Sequence, residues 1–424
     1  MIYKCPNCNG ALEYNPITDR MECGFCGEGF LLAEIEAIQE RKEHTYNQQT
    51  GSQKVIIDGE GSHEFHSGSE TVQEDSVEIN EEQEVDFLAN VETMECNIYT
   101  CTSCGAELAV SETEAATFCA YCGQPTVVFS RVSKELKPQS IVLFRIDKEQ
   151  AIAGIREKLN KSFLVPKEIK NFSVDKVRGI YVPHWIYDIH YYDMQHWEVK
   201  NADNKVTKTY DREAECMFKG LTLDASKNLD DELSQRLEPF DVRTRRPFES
   251  GYLSGFYADK YDYDEDRMRN YAYYRAKQFF DAQIKETISD QSARLKLTFP
   301  KRVIKNVEYT LLPVWFVTFR YNYENYTIAV NGQTGKVVGT VPYEKKKAWT
   351  LFIGLAVIIA LFATAFMLCL LVEPLDWIGS SIIIFVSLFF LGLAYRRMNR
   401  IKEAMSRTRA YETTEYVSER QDRD

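Results

Sequence analysis

Residues 5–26 contain two C-x2-C pairs, Cys5-Pro6-Asn7-Cys8 and Cys23-Gly24-Phe25-Cys26, separated by fourteen residues. The same arrangement recurs 96 positions later in the chain. The second quartet consists of Cys101, Cys104, Cys119 and Cys122. Two such pairs at this distance are a strong metal signal, because each pair lies on a tight turn, a knuckle, that directs two sulfurs at one point. The sequence therefore predicts two metal sites, each with four cysteine thiolates as ligands.

The predicted metal is Zn²⁺, as two structural ions per chain, and iron in a rubredoxin-like site is the alternative because it shares these ligands. Redox chemistry of a C-x-x-C pair requires a thioredoxin-like βαβ context that the sequence lacks. Structural disulfides conflict with the intracellular location expected for this part of the chain. A closed set of four thiolates leaves no open coordination position, so the metal is expected to fold its module and not to catalyse. We expect no catalytic residue, no small-molecule substrate and no enzymatic activity.

Short strands at 11–14 and 107–110 follow the first knuckle of each quartet. The arrangement resembles the zinc-ribbon family of the type found in transcription factor IIB, which implies two small β zinc ribbons, at 1–30 and 96–130. Many zinc ribbons bind nucleic acid, but the sequence from Val55 to Ser130 contains no Lys or Arg. Phosphate contacts need basic side chains, so nucleic acid is disfavoured as a partner.

The formal net charge of −12 comes from one segment. Residues 43–95 contain 14 acidic residues and one basic residue, Lys54, a sum of −13, so the rest of the chain sums to +1. This composition predicts an acidic flexible linker, because it cannot bury enough apolar surface to fold. The preceding residues, 31–42, are predicted to form a short helix that either caps the first ribbon or binds a partner.

Residues 131–345 are aromatic-rich and are predicted to form an α+β body with two repeats, at about 140–205 and 264–342. Val182-Pro183-His184-Trp185-Ile186 aligns with Leu312-Pro313-Val314-Trp315-Phe316 at an offset of 130. A helical stretch precedes each segment, and another strand follows it. We predict two helix-plus-antiparallel-sheet modules. The second resembles small PepSY or cystatin-like units, in which a helix packs on a curled sheet.

Two features of the body are candidate sites. Gly332-x2-Gly335-Lys336 superficially resembles a phosphate loop, but it lacks the four-residue spacing and the following Ser or Thr, so a hairpin turn is favoured. The main histidine cluster consists of His184, His190 and His196 with Asp188 and Asp193. A metal or catalytic role for this cluster is the alternative to an ordinary sheet surface.

Two uncharged apolar runs, 349–372 and 377–395, lie near the C-terminus. As helices they would reach roughly 36 and 28 Å at about 1.5 Å per residue, enough to cross a bilayer. They predict a transmembrane α-hairpin within 346–397, followed by a charged tail at 398–424; a buried helical hairpin in a soluble core is the alternative. The basic residues on both flanks place both termini in the cytoplasm. We therefore expect a multi-pass cell-membrane protein with two helices and the lipid bilayer as a partner.

The expected fold class is thus multidomain: two small β zinc ribbons, an α+β body of two modules, and a C-terminal transmembrane α-hairpin. This order resembles a bacterial family of zinc-ribbon membrane proteins that look like membrane anchors for SPFH (flotillin-like) partners in envelope-stress systems. The resemblance implies a non-enzymatic zinc-binding membrane adaptor that recruits a cytoplasmic protein, with an SPFH-like protein as the candidate. The alternative is a membrane-associated zinc ribbon that binds nucleic acid.

Overall fold

The structure, a computed structural model, describes most of the chain up to residue 339. The described residues are 3–38, 41, 92–109, 119, 121, 127–161, 164–172, 177–229, 231–321 and 324–339, with isolated residues between 341 and 396. Most of the acidic linker, the charged tail and most of both apolar runs lie outside this set.

The first ribbon is a three-stranded antiparallel sheet of β1 (Leu12–Asn15), β2 (Arg20–Cys23) and β3 (Gly29–Phe30). Leu12 and Tyr14 are buried while the residue between them is exposed, as expected for a strand with one covered face. Helix α1, at 32–38, follows within the segment predicted to be helical. Its Leu32 and Ile35 are buried in the same hydrophobic cluster as the ribbon, which agrees with a capping role.

The second sheet has twelve strands, which include those of the second cysteine quartet. They are β4 (Thr93–Cys101), β5 (Glu107–Ala109), β6 (Val127–Leu136), β7 (Ser140–Ile141), β8 (Arg178–Lys200), β9 (Val206–Asp224), β10 (Arg246–Pro247), β11 (Tyr257–Asp259), β12 (Arg294–Thr298), β13 (Lys301–Tyr321), β14 (Glu324–Asn331) and β15 (Val337–Gly339). Its main path runs β10-β7-β13-β8-β11-β5-β4-β6. Strands β9 and β12 also pair with β8, and β14 joins β13 to β15.

Four further helices accompany this sheet: α2 (Lys148–Lys161), α3 (Lys167–Lys170), α4 (Asp231–Leu237) and α5 (Glu265–Glu286). The N-cap residue of α5 is Asp264, whose side chain accepts a hydrogen bond from the Arg267 N–H and so satisfies one of the free donors of the first turn. The buried residues of α2 are Ala151, Ile152, Ile155 and Leu159. Their three-to-four-residue spacing is that of an amphipathic helix with one buried face.

The centre of the sheet is the antiparallel pair β8–β13, which contains both Pro-x-Trp segments. Pro183 lies opposite Leu311, and Pro313 lies opposite Tyr181. Residues 179–187 are buried without interruption, because both faces of the sheet are covered. Tyr181 and Trp185 belong to one hydrophobic cluster, together with the first ribbon. On the alternate side, Ile180, Val182 and Ile186 belong to a second cluster, together with Cys101, Cys119 and Tyr121 of the second quartet.

The expected fold class is wrong in two respects. The body is not a pair of α+β modules: it is mostly β, and both repeats contribute neighbouring strands to one mixed sheet. The long central strands pair with each other along most of their length, so neither repeat has a separate core. The second ribbon is likewise part of this sheet, because β5 pairs with β11 and β11 pairs with β8.

The predicted transmembrane hairpin is also overturned. Among the residues that the structure describes, no helix has the length and apolar character needed to cross a membrane. Both runs, 349–372 and 377–395, lie almost entirely outside those residues. The multi-pass membrane location, the bilayer as a partner and the membrane part of the adaptor hypothesis all depended on this hairpin, and they are withdrawn with it.

Candidate metal centres

The structure describes the whole turn in three of the four predicted knuckles, and these three share one backbone conformation. In each, the residue four positions after the first cysteine has a positive φ and donates its N–H to the carbonyl of that cysteine. These residues are Asn9, Gly27 and Gly105, with φ of 63°, 72° and 77° and N···O distances of 2.9, 2.9 and 2.8 Å. Glycine and asparagine suit these positions because both tolerate the left-handed region. The predicted tight turns are confirmed at these three places.

The first cluster brings the Sγ atoms of its four cysteines within 4.8 Å of one another. The sulfurs of Cys8 and Cys23 are 3.3 Å apart, and those of Cys5 and Cys26 are 3.6 Å apart. A tetrahedral zinc with bonds of about 2.3 Å would separate its sulfurs by about 3.8 Å, whereas a disulfide would join them at about 2.05 Å. All four are free cysteines. The donor set therefore fits one metal ion held by thiolates.

Backbone N–H groups donate to the cysteine sulfurs, where a thiolate would carry negative charge. The N–H groups of Cys26 and Phe25 donate to Cys23 Sγ and lower the pKa of that thiol to about 6. The N–H of Gly10 donates to Cys8 Sγ and that of Glu28 donates to Cys26 Sγ, but burial and the hydrogen bonds among the four thiols raise the pKa of both Cys8 and Cys26. Hydrogen bonds to sulfur stabilise the thiolate, which is the form that binds a metal.

The second cluster brings together Cys101, Cys104 and Cys119, again with all Sγ atoms within 4.8 Å of one another. The sulfurs of Cys104 and Cys119 are 3.7 Å apart. Cys122, the predicted fourth ligand, lies outside the described residues. The structure thus contains two cysteine clusters that can hold metal ions.

The first ribbon is attached to the body by contacts of several kinds. The Arg246 guanidinium donates two hydrogen bonds to the Asp19 carboxylate, at 3.0 and 2.8 Å. Burial by itself would raise the pKa of Asp19. The hydrogen bonds from this guanidinium outweigh burial and hold that pKa below its usual value. The Tyr14 N–H donates to the Ser254 carbonyl at 3.1 Å, so β1 continues its pairing onto the body. The ribbon is therefore docked on the body.

Close packing at Gly251 completes this contact. A Cβ built at Gly251 would lie 2.1 Å from Leu32 Cδ1, so a larger residue at this position would have to displace this side chain of α1. We expect Gly251→Val to displace α1, at a cost of about 1–3 kcal/mol, which is typical of overpacking. Amide hydrogen exchange in 32–38 should then become faster, while exchange in β4 stays the same.

Gly24→Ala is the matched control, because a Cβ at Gly24 would have no atom within 4 Å. Equal exchange rates of 32–38 in wild type, Gly251→Val and Gly24→Ala would refute the docked position of the helix.

The second cluster is tied to the body through Tyr121, which lies between Cys119 and Cys122. Its hydroxyl donates to Asp259 Oδ2 at 2.5 Å, and its carbonyl accepts a bond of 2.6 Å from Thr318 Oγ1. Its ring packs against Phe316, with centroids 5.5 Å apart. Asp259 is buried and also accepts hydrogen bonds from the Ser226 hydroxyl and the Lys260 N–H. A residue of the metal knuckle is thus a core residue of the large sheet.

The histidines of the predicted cluster do not converge. They lie six residues apart along β8, or about 20 Å between successive histidines at 3.3 Å per residue. Burial lowers the pKa of His184, whose Nδ1 lies 3.0 Å from the Val182 carbonyl oxygen. His196 Nδ1 lies 2.6 Å from Asp211 Oδ1. In the described part of the chain, the only groups of three or more possible metal ligands are the two cysteine clusters.

The two aspartates of that cluster have structural partners. Asp188 accepts the Gly220 N–H at 2.8 Å, next to a β-bulge between β8 and β9. Asp193 accepts hydrogen bonds from Thr298 Oγ1 and the Phe299 N–H, at 2.5 and 2.7 Å, which holds the connection between β12 and β13. The ordinary-sheet interpretation of this cluster fits these contacts better than a metal site.

Comparison with known proteins relates this chain to an uncharacterized bacterial protein. No known family profile matches the chain, and no solved structure matches it. The uncharacterized protein YdjG of Bacillus subtilis (strain 168) is 30% identical over 253 residues, which cover 54% of this chain and 71% of YdjG. The chain belongs to the YdjG family. YdjG is itself uncharacterized, so membership of the YdjG family indicates no activity.

Sequence reasoning missed the residues that attach the two clusters to the sheet in this YdjG-family chain. The Asp19–Arg246 pair spans 227 positions and the Tyr121–Asp259 pair spans 138. One local signal was available: Tyr121 is a large aromatic residue inside a knuckle, where a small or polar residue would suffice. Its partner Asp259 has no comparable signal.

Proposed function

We propose that the protein is a non-enzymatic adaptor that binds zinc at both cysteine clusters and recruits a protein partner through its first ribbon. The ligands would be the eight predicted cysteines, with Cys122 as the fourth ligand of the second site. Zinc is favoured over iron on the donor set alone, since four thiolates in a tetrahedral arrangement are typical of structural zinc. A closed site supplies folding energy and leaves no position for a substrate.

The observation that carries the recruiting role is Phe25. Its side chain is 85% exposed, although it lies on a knuckle that the metal would hold rigid. Its ring lies over Gly10: a Cβ there would come within 2.7 Å of Phe25 Cδ2. Exposed aromatic residues on a rigid support are the typical anchors of protein interfaces, because they bury a large area at a small cost in entropy.

The resemblance described above makes an SPFH (flotillin-like) protein the first partner to test. The charge distribution supports a protein partner over nucleic acid at this position. The first ribbon has Arg20 and Lys4 as its basic side chains, against four acidic ones. These are Glu13, Asp19, Glu22 and Glu28.

The test is a binding assay between the full chain and the purified SPFH-type protein encoded by the same genome. Phe25→Ala should weaken binding by about tenfold or more, the loss typical of an interface anchor. Metal content should stay at the wild-type value, because Phe25 contributes only its backbone N–H to the cluster.

Leu297→Ala is the control, because Leu297 is 50% exposed on β12, outside both ribbons. Equal affinities of wild type and Phe25→Ala for the partner would contradict recruitment through this ribbon. Salt-sensitive binding of DNA by the full chain would instead support the nucleic-acid alternative.

A further inference from the structure

Three cationic side chains from three separate elements meet beside the turn between β14 and β15. The Lys158 ammonium on α2 donates to the carbonyl of Val337, at 2.8 Å. The Lys336 ammonium, from the residue before Val337, donates to the carbonyl of Glu238 at 2.5 Å. Glu238 follows directly after α4, which carries Arg236 in its last turn. The two hydrogen bonds therefore tie α2 and the end of α4 to the same turn, and the charges of Arg236 and Lys336 both act on Lys158.

The charges in this group do not balance. Arg236 forms an ion pair with Glu232, in which Nη2 lies 2.6 Å from Oε1. The carboxylate of Glu238 is directed elsewhere, because it forms an ion pair with Arg275 and accepts a hydrogen bond from Thr222. Among the residues that the structure describes, three cations and one carboxylate leave two excess positive charges. Burial, together with the nearby Arg236 and Lys336, lowers the pKa of Lys158 to about 8.

Such an arrangement is unfavourable without an anion, because like charges repel more strongly where water is partly excluded. A lysine ammonium has three N–H donors. Among the described residues, one carbonyl accepts from each of the two lysines. Both ammonium groups therefore keep donors for a ligand.

The Asn331–Lys336 turn does not bind phosphate in the manner of a phosphate loop. The N–H groups of Gln333 and Thr334 donate to Asn331 Oδ1, and that of Gly335 donates to the Asn331 carbonyl. These backbone donors are used within the turn, so the hairpin interpretation of this segment fits its contacts. The turn instead brings the side chain of Lys336 to Lys158.

We propose that Lys158, Arg236 and Lys336 form a binding site for a dianionic oxyanion of the phosphate class. Two excess positive charges match the charge of a phosphate or phosphate monoester at neutral pH. A guanidinium and two ammonium groups are the side chains that proteins use most often for this ligand. The site is independent of both cysteine clusters and of the adaptor role.

The first measurement uses the full wild-type chain with inorganic phosphate at constant ionic strength. Phosphate should protect Lys158 from acylation by acetic anhydride by at least about fivefold, as measured by mass spectrometry of the labelled peptide. Lys161, which lies on the same helix, is exposed and is paired with Glu157, should be labelled equally with and without phosphate. Glycerol 2-phosphate in a parallel arm distinguishes a phosphate ester from the free ion, and acetate tests whether a single negative charge suffices.

The second measurement is calorimetric titration of the full chain with the same anions. Lys158→Gln and Lys336→Gln should each lower phosphate affinity by about tenfold or more, whereas Lys161→Gln should match wild type. Lys336 is exposed, so its variant remains informative if Lys158→Gln fails to fold. Equal labelling of Lys158 with and without phosphate, or equal affinities of Lys336→Gln and wild type, would overturn the proposal.

Discussion

Replacing Cys101 with serine should destabilise the whole twelve-stranded sheet, with a loss on the order of 4 kcal/mol. For a domain of this size the unfolding midpoint should fall by roughly 8–16 °C. Cys101 is the last residue of β4 and is fully buried. Loss of the metal would release Tyr121 from Asp259 and Phe316, so the effect should reach residues distant from the cluster. Thermal unfolding followed by near-UV circular dichroism measures it.

Two matched variants separate the metal effect from loss of a thiol. Cys216→Ser, on β9 and outside both clusters, should change the midpoint little. Cys8→Ser should remove one metal but leave the main transition in place, because the first ribbon has its own three-stranded sheet. Metal analysis should find about two zinc per wild-type chain and about one in either cluster variant. A Cys101→Ser chain with wild-type midpoint and metal content would contradict the role given to the second cluster.

Replacing Asp259 with asparagine should remove a pH dependence from the stability of the protein. Burial raises the pKa of Asp259 to about 7, even though it accepts hydrogen bonds from Ser226 and Tyr121. Its unfolded value is about 3.9. Between these values the folded state holds a proton that the unfolded state has lost, so the free energy of unfolding falls as pH rises. The contribution is fully present below about pH 4 and is lost as pH rises through about 7.

The measurement is urea unfolding of wild type and Asp259→Asn between about pH 5.5 and 7.5. The wild-type free energy of unfolding should fall relative to that of the variant by about 2 kcal/mol, at no more than about 1.4 kcal/mol per pH unit. Protonation of the cysteine clusters cancels in this difference, because both proteins contain them. Asp203→Asn, in the exposed turn after β8, is the control for the loss of one acidic side chain. A difference between wild type and Asp259→Asn that stays constant with pH would show that this carboxyl does not titrate as described.

The metal centres were the part of this protein most open to prediction from sequence. Two constraints act within a segment of six residues: the C-x2-C spacing, and the glycine or asparagine four positions after the first cysteine. The structure places Asn9, Gly27 and Gly105 in the conformation that this local geometry requires. The alternating burial of Leu12 and Tyr14 and the amphipathic pattern of α2 are equally local, and both are seen.

The body was predicted less well because its organisation depends on contacts between distant residues. The Pro-x-Trp repeat was detected, but its two copies were assigned to separate modules. In the structure Pro183 and Pro313 lie on adjacent strands of one sheet. The alternation of residues along a strand indicates which of its faces is apolar, but it does not identify the neighbouring strand with which it pairs. The membrane hairpin rested on apolar runs alone, and the structure does not support it.

The sequence by itself determined that two cysteine-cluster modules exist and which residues their knuckles contain, because a shared metal ion requires particular residues at short fixed spacings. The tertiary structure alone decided where these modules lie. One belongs to the hydrophobic cluster on one side of the β8–β13 pair and the other to the cluster on the opposite side. That placement depends on Gly251, Arg246 and Asp259, which meet their partners across more than one hundred positions. Such contacts form only when the whole chain is folded, so no local pattern encodes them.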